Sequence, residues 1–118
     1  MLIVDDERSF RTLYQLWLPS HDITLASNGQ EGLKRYDEAG PFDLVVSDLQ
    51  MPVMNGLEML KRILEKHPDQ KAVLRTGQDP SNYEVPQGVT FLSKGESWTS
   101  LEAELQRATR GNAERIAA

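Results

Sequence analysis

The stretch Phe42-Asp43-Leu44-Val45-Val46-Ser47-Asp48 decides the fold. Its apolar residues run on rather than alternate, as in a strand buried on both faces of a parallel sheet. It ends abruptly on an acid, Asp48. Upstream, Leu2-Ile3-Val4 is a shorter apolar run that likewise ends on acids, Asp5-Asp6-Glu7. Phe10, Leu13, Tyr14 and Trp17 then fall at i, i+3, i+4 and i+7, which predicts an amphipathic helix closed by Pro19. Trp17, like Trp98 further on, reads as a core or half-buried packing residue. Ile23 to Ala26 gives a second short strand. Asn28 with Glu31 is a capping-box-like start for a helix through Leu33 and Tyr36, stopped by Gly40-Pro41.

Downstream of Asp48 the same alternation continues. Asn55 caps a helix with Glu58 at its third position, and Leu57, Leu60, Ile63 and Leu64 form its inner stripe up to His67-Pro68. Ala72-Val73-Leu74 makes the fourth strand, ending at Thr76. Gly77 to Gly88 carries Pro80 and Pro86, which leaves room for about one or two helical turns and predicts a short or irregular fourth helix. Val89 to Ser93 is the fifth strand, ending at Lys94. Thr99 with Glu102 caps a last helix, with Leu101, Leu105 and Ala108 inside and Gly111 as its stop.

Five strands alternating with helices across short loops predict an α/β fold, an open five-stranded parallel sheet with helices on both faces. The chain has 118 residues, no internal repeat and no low-complexity linker, so one domain over 1–118 is expected. There is no cysteine, which excludes disulfides, zinc ribbons, iron–sulfur clusters and a Cys nucleophile. Thirteen Lys and Arg against 18 Asp and Glu give a net charge of −5 with no basic cluster, which disfavours direct nucleic-acid binding. No apolar run approaches a membrane span, and Met1 to Val4 lacks the length and basic flank of a signal peptide. The expectation is a cytoplasmic protein with no membrane partner.

Open parallel sheets bind ligands at the carboxyl ends of their strands. The residues there are Asp5-Asp6, Asp48, Thr76 and Lys94. In the flavodoxin-like order 2-1-3-4-5, strands one and three are neighbours, and three carboxylates then meet at one sheet edge. Such a cluster must take up protons or hold a cation, and oxygen ligands in a half-open shell favour Mg²⁺. Thr76 and Lys94 add a hydroxyl and an ammonium, both donors suited to phosphoryl oxygens. The set describes phosphoryl transfer, in which a carboxylate can itself be the nucleophile.

From Leu2 to about Ala108 these residues resemble the receiver domain of two-component response regulators, of the chemotaxis-regulator-like kind. Asp48-Leu-Gln-Met-Pro-Val-Met-Asn-Gly56 is similar to the family's phospho-acceptor loop, and Leu2-Ile-Val-Asp-Asp-Glu7, Thr76 and Lys94 stand at fitting distances. A member of this family is itself an example of the switch-point rule, so the strand order and the resemblance share a source. The resemblance implies that Asp48 accepts a phosphoryl group from the phosphohistidine of a sensor histidine kinase or a histidine phosphotransfer protein. It implies Mg²⁺ bound by the carboxylates of Asp6 and Asp48, by the backbone carbonyl of Gln50, and by Asp5 through water. Thr76 and Lys94 would hold the phosphoryl oxygens, and Phe91 would be the switch aromatic that turns inward as Thr76 moves. Gln50 and Gln78 occupy positions that tune water attack in the family.

Two features depart from the family. Gly95 stands where a proline usually follows the lysine, so either Gly95 reaches a suitable trans geometry or Lys94 is aimed less well. The span from Thr76 to Lys94 is about one helical turn short, at the expense of the fourth helix and its output face. No effector segment follows, so the expected protein is a free-standing receiver or one excised from a longer regulator, with output through a downstream protein or effector domain. The resemblance implies a switch that catalyses only its own modification and not an enzyme with a separate substrate.

Other readings weigh against this one. Singly, Asp5 and Asp6 suit a helix start and Asp48 a turn; their conjunction with Thr76 and Lys94 is what points to chemistry. His21 and His67 read as structural residues near helix C-termini. A degenerate receiver that works by protein contact, independent of phosphorylation, is the alternative from another class. A flavodoxin would find its phosphate repelled by Asp5-Asp6-Glu7, and a haloacid-dehalogenase-type phosphatase needs Asp-x-Asp where the acids here are adjacent. The P-loop signature is missing.

Overall fold

The computed structural model describes residues 1–18, 22–77, 83–93, 99–103 and 106–107. Chain order is β1 (Leu2–Val4), α1 (Arg8–Trp17), β2 (Thr24–Ala26), α2 (Gly29–Ala39), β3 (Val45–Asp48), α3 (Gly56–Lys66), β4 (Ala72–Thr76) and β5 (Val89–Ser93). Residues 99–103 and 106–107 are helical as well. All five strands are parallel, in the order β2-β1-β3-β4-β5.

The continuous apolar strands are explained by two cores. Leu2, Val4, Val45, Ala72 and Leu74 face one way and pack with Tyr36 of α2 and Leu57, Leu60 and Ile63 of α3. Ile3, Val46, Val73 and Leu92 face the other way and pack with Tyr14 of α1, Leu18 and Leu101. Adjacent residues point to opposite faces. Both Val45 and Val46 are therefore fully buried, each burial being worth roughly 1.5–3 kcal/mol.

Both internal helix starts follow the expected capping chemistry. The Asn28 side chain accepts from the Glu31 N–H at 2.8 Å, and the Glu31 carboxylate accepts in turn from the Ser27 hydroxyl at 2.6 Å. Asn55 accepts from the Glu58 N–H at 2.8 Å. The bonds accepted by Asn28 and Asn55 satisfy N–H groups that have no partner inside a first helical turn. At the other helix ends, α2 gives way to Gly40-Pro41 and α3 to His67, as expected.

Several expectations need correction. Helix α1 is rotated so that Phe10, Tyr14 and Leu18 line the sheet, leaving Leu13 at 36% and Trp17 at 58% exposure. Trp17 is thus a surface residue. The third strand begins at Val45 and not at Phe42, because both backbone groups of Phe42 are taken by the side chain of Gln70: Phe42 N–H donates to its Oε1 at 3.0 Å and its Nε2 donates to Phe42 O at 2.7 Å. The second strand starts at Thr24, one residue later than expected. Residue 99 is already helical and so is not the cap of the last helix. Residues 83–88 form a bend and a turn with no helix, while 78–82 of the expected fourth helix lie outside the described residues. So do Pro19, His21, Trp98, Leu105, Ala108 and Gly111. Among the described residues no helix is long and apolar enough to cross a membrane.

Candidate functional site

The site grows from the carboxyl ends of β1, β3 and β4. Pairing sets Val4 beside Ser47 and Asp48 beside Arg75, so the chain leaves β1 and β3 at the same sheet edge. The two buried acids are aimed by one local device. Asp5 accepts from the N–H of Glu7 at 2.9 Å, and Asp48 accepts from the N–H of Gln50 at 3.3 Å, each carboxylate reaching the backbone two residues on. Arg11 of α1 adds a bond from its Nη1 to the Asp5 carbonyl at 2.7 Å.

These constraints bring Asp5, Asp6 and Asp48 together, with one carboxylate oxygen of each within 4.8 Å of the others. Asp5 and Asp48 are buried and Asp6 is exposed. Two carboxylate charges at that separation repel by about 3 kcal/mol at an effective dielectric of ~20. Three hard oxygen donors open to solvent on one side fit a divalent cation of the Mg²⁺ kind, which keeps several waters. Beside Asp6 an open cleft of about 440 Å³ is lined by Leu49, Gln50, Met51, Pro52, Asn55 and Tyr83.

The loop from Asp48 to Gly56 is held tightly. Gly56 N–H donates to the Leu49 carbonyl at 2.9 Å, and a Cβ at Gly56 would collide with the Asp48 carbonyl oxygen and press on Ser47 Oγ. Only glycine lets α3 start this close to the end of β3. Val53 within the same loop has φ 72°, a conformation costly for a β-branched residue, and is 79% exposed.

Thr76 ends β4, buried, opposite Ser93 of β5. Phe91 pairs with Leu74 and is partly buried against the core on the α2 and α3 side. Lys94, Gly95 and Gln78 lie outside the described residues. His67 closes α3, its ring 5.5 Å from that of Tyr36.

The sequence reading passed over Arg75. It is 5% exposed, and its Nη1 donates to the Tyr14 hydroxyl at 2.9 Å. Burial pushes the Tyr14 phenol above its ordinary pKa; the Arg75 guanidinium opposes that rise, and the charges of Asp5 and Asp48 add to it. A charged residue within the strand Ala72–Thr76, following the apolar run Ala72–Leu74 and directly before Thr76, was the available signal.

Residues 1–104 match the sequence profile of the response regulator receiver domain. The chain is 40% identical over 77 residues to the chemotaxis protein CheY of Listeria monocytogenes, covering 63% of this chain and 64% of that one. It is 33% identical over 121 aligned positions to the transcriptional regulatory protein YdfI of Bacillus subtilis, covering 95% of this chain and 55% of that one. The chain therefore spans less than two thirds of the length of these curated relatives. In fold it is similar to a response regulator receiver domain protein from Clostridium thermocellum, with a TM-score of 0.86 at 22% identity over 99% of this chain and 97% of that one. The observed strand order, the acids gathered at its edge and the profile match agree: the chain belongs to the response regulator receiver domain family.

Proposed function

We propose that the chain, over 1–118, is a phospho-accepting switch of a two-component phosphorelay, with Asp48 as the acceptor. The observation that carries this reading is the convergence of Asp5, Asp6 and Asp48 at the carboxyl edge of the sheet. A module acting by contact alone has no need of three acids in one place, so the phosphorylation-independent alternative gains no support from them.

In this reading Asp48 Oδ attacks the phosphorus of a phosphohistidine presented by a sensor histidine kinase or a histidine phosphotransfer protein. An O–P bond forms as the P–N bond breaks, and the imidazole nitrogen leaves with the electron pair. Asp6 and Asp48 through their carboxylates, Gln50 through its carbonyl and Asp5 through water would hold Mg²⁺. When bound, the cation neutralises charge on the transferring oxygens. The N–H of Gln50 keeps the acceptor carboxylate oriented. Thr76 and Lys94 would bind the phosphoryl oxygens, and Phe91 would respond to the movement of Thr76. The modified state is then favoured by its extra contacts, by no more than their differential energy, and is read by a downstream protein or effector domain.

Binding of beryllofluoride tests this. With Mg²⁺ present, ¹⁹F NMR should show a protein-bound fluoride resonance that disappears in Asp48→Ala. A bound resonance of equal intensity in that variant would assign the chemistry elsewhere.

A further inference from the structure

Arg75 is buried at the sheet edge where Asp5, Asp6 and Asp48 gather, and the site as described does not use it. Moving a guanidinium out of water is costly unless anions stand nearby. Its hydrogen bond to Tyr14 goes to a neutral phenol. The anions lie on the same face of the sheet. Asp48 is the register partner of Arg75, and two residues earlier their strands place Val46 and Val73 in the core that also holds Ile3 and Tyr14. Parallel strands are ~4.8 Å apart and register partners point the same way. Asp5 follows Ile3 by two residues, and its N–H still pairs with the Ala26 carbonyl, so it continues the β1 alternation toward this face. Tyr14 senses the charges of Arg75, Asp5 and Asp48 together.

We propose that Arg75, held in place by Tyr14, is the resident counter-charge of the Asp5, Asp6 and Asp48 cluster and sets how strongly that cluster takes Mg²⁺. It is a positioning residue that acts through the acids, and the proposal rests on reading them as the Mg²⁺ site. A fixed cation beside the carboxylates offsets part of their mutual repulsion in the metal-free state and repels the entering ion. Its removal therefore tightens Mg²⁺ binding, whereas mere structural damage to the site would weaken it.

Mg²⁺ titration of the whole chain by calorimetry at fixed ionic strength, with folding checked by circular dichroism, separates these cases. R75Q should bind Mg²⁺ roughly fivefold tighter or more, the scale of one unit charge in a partly screened site. R75K, which keeps the charge, should stay within about twofold of the parent on the same reasoning. R75M supplies a second neutral variant should R75Q fail to fold, with the same tightening expected. A folded neutral variant with unchanged or weaker Mg²⁺ affinity overturns the role of Arg75 while leaving the acid site intact. Absence of Mg²⁺ binding in the parent, or binding unaffected by Asp48→Asn, overturns the reading of the acids and this inference with it.

Discussion

Arg75, next to last in β4, and Tyr14 in the middle of α1 are joined by a 2.9 Å hydrogen bond, with the guanidinium carbon 5.7 Å from the centre of the phenol ring. The pair ties α1 to the sheet across 61 residues of chain. Tyr14 is 2% exposed, so the bond is shielded from water. Tyr14→Phe keeps the ring and removes the acceptor. It should destabilise the fold by about 1.5–3 kcal/mol, the range for a hydrogen bond to a charged donor. Urea denaturation measures this, and an unchanged midpoint would show that the bond contributes nothing.

That contact also marks where sequence reading stopped. The strands were legible because burial on both faces leaves unbroken apolar runs, as in Leu44-Val45-Val46. The Asn28 and Asn55 caps were legible because their chemistry closes within three residues. The acids at the strand ends followed from topology. Arg75 was not legible, since whether a charged strand residue is buried depends on a phenol 61 positions away. Gln70 was missed for the same reason, its partners Tyr36 and Phe42 lying 34 and 28 positions distant. Trp17 was misplaced because helical spacing permits a choice of faces. The rotation of α1 that points Tyr14 at the sheet carries Trp17 outward.

Gly56 should resist substitution. A methyl group there meets the Asp48 carbonyl and Ser47 Oγ, both parts of the strand that carries Asp48, the acceptor proposed above. Gly56→Ala is expected to cost about 1–3 kcal/mol by overpacking and to displace Asp48 enough to slow its modification. Thermal unfolding and the rate of labelling by acetyl phosphate check the two effects.

Val53 should be improvable. Its φ of 72° strains a β-branched residue on an exposed loop. Asparagine tolerates this conformation, so Val53→Asn is expected to stabilise the fold by about 0.5–1 kcal/mol. A lowered unfolding midpoint would contradict the strain assigned to this position.

Glu31 should make a pH-dependent contribution. The hydroxyl and N–H of Ser27 bond its carboxylate and hold its pKa below the ordinary value of 4.5. A depressed carboxylate pKa means that the stabilisation is fully present above the unfolded value and is lost as pH falls through the folded one. In Glu31→Gln the stability deficit should be constant from neutral pH down to about 5 and shrink below that. Unfolding midpoints measured across this range test it; a deficit that grows on acidification would reverse the sign of the argument.

The identity of the acceptor bears the whole functional account. Intact-protein and peptide mass spectrometry after incubation with Mg²⁺ and acetyl phosphate reads it directly. The account predicts one added phosphoryl group, labile to base, located on Asp48, absent when Mg²⁺ is chelated and absent from Asp48→Ala. No adduct on the folded parent, or one that persists in Asp48→Ala, would contradict it.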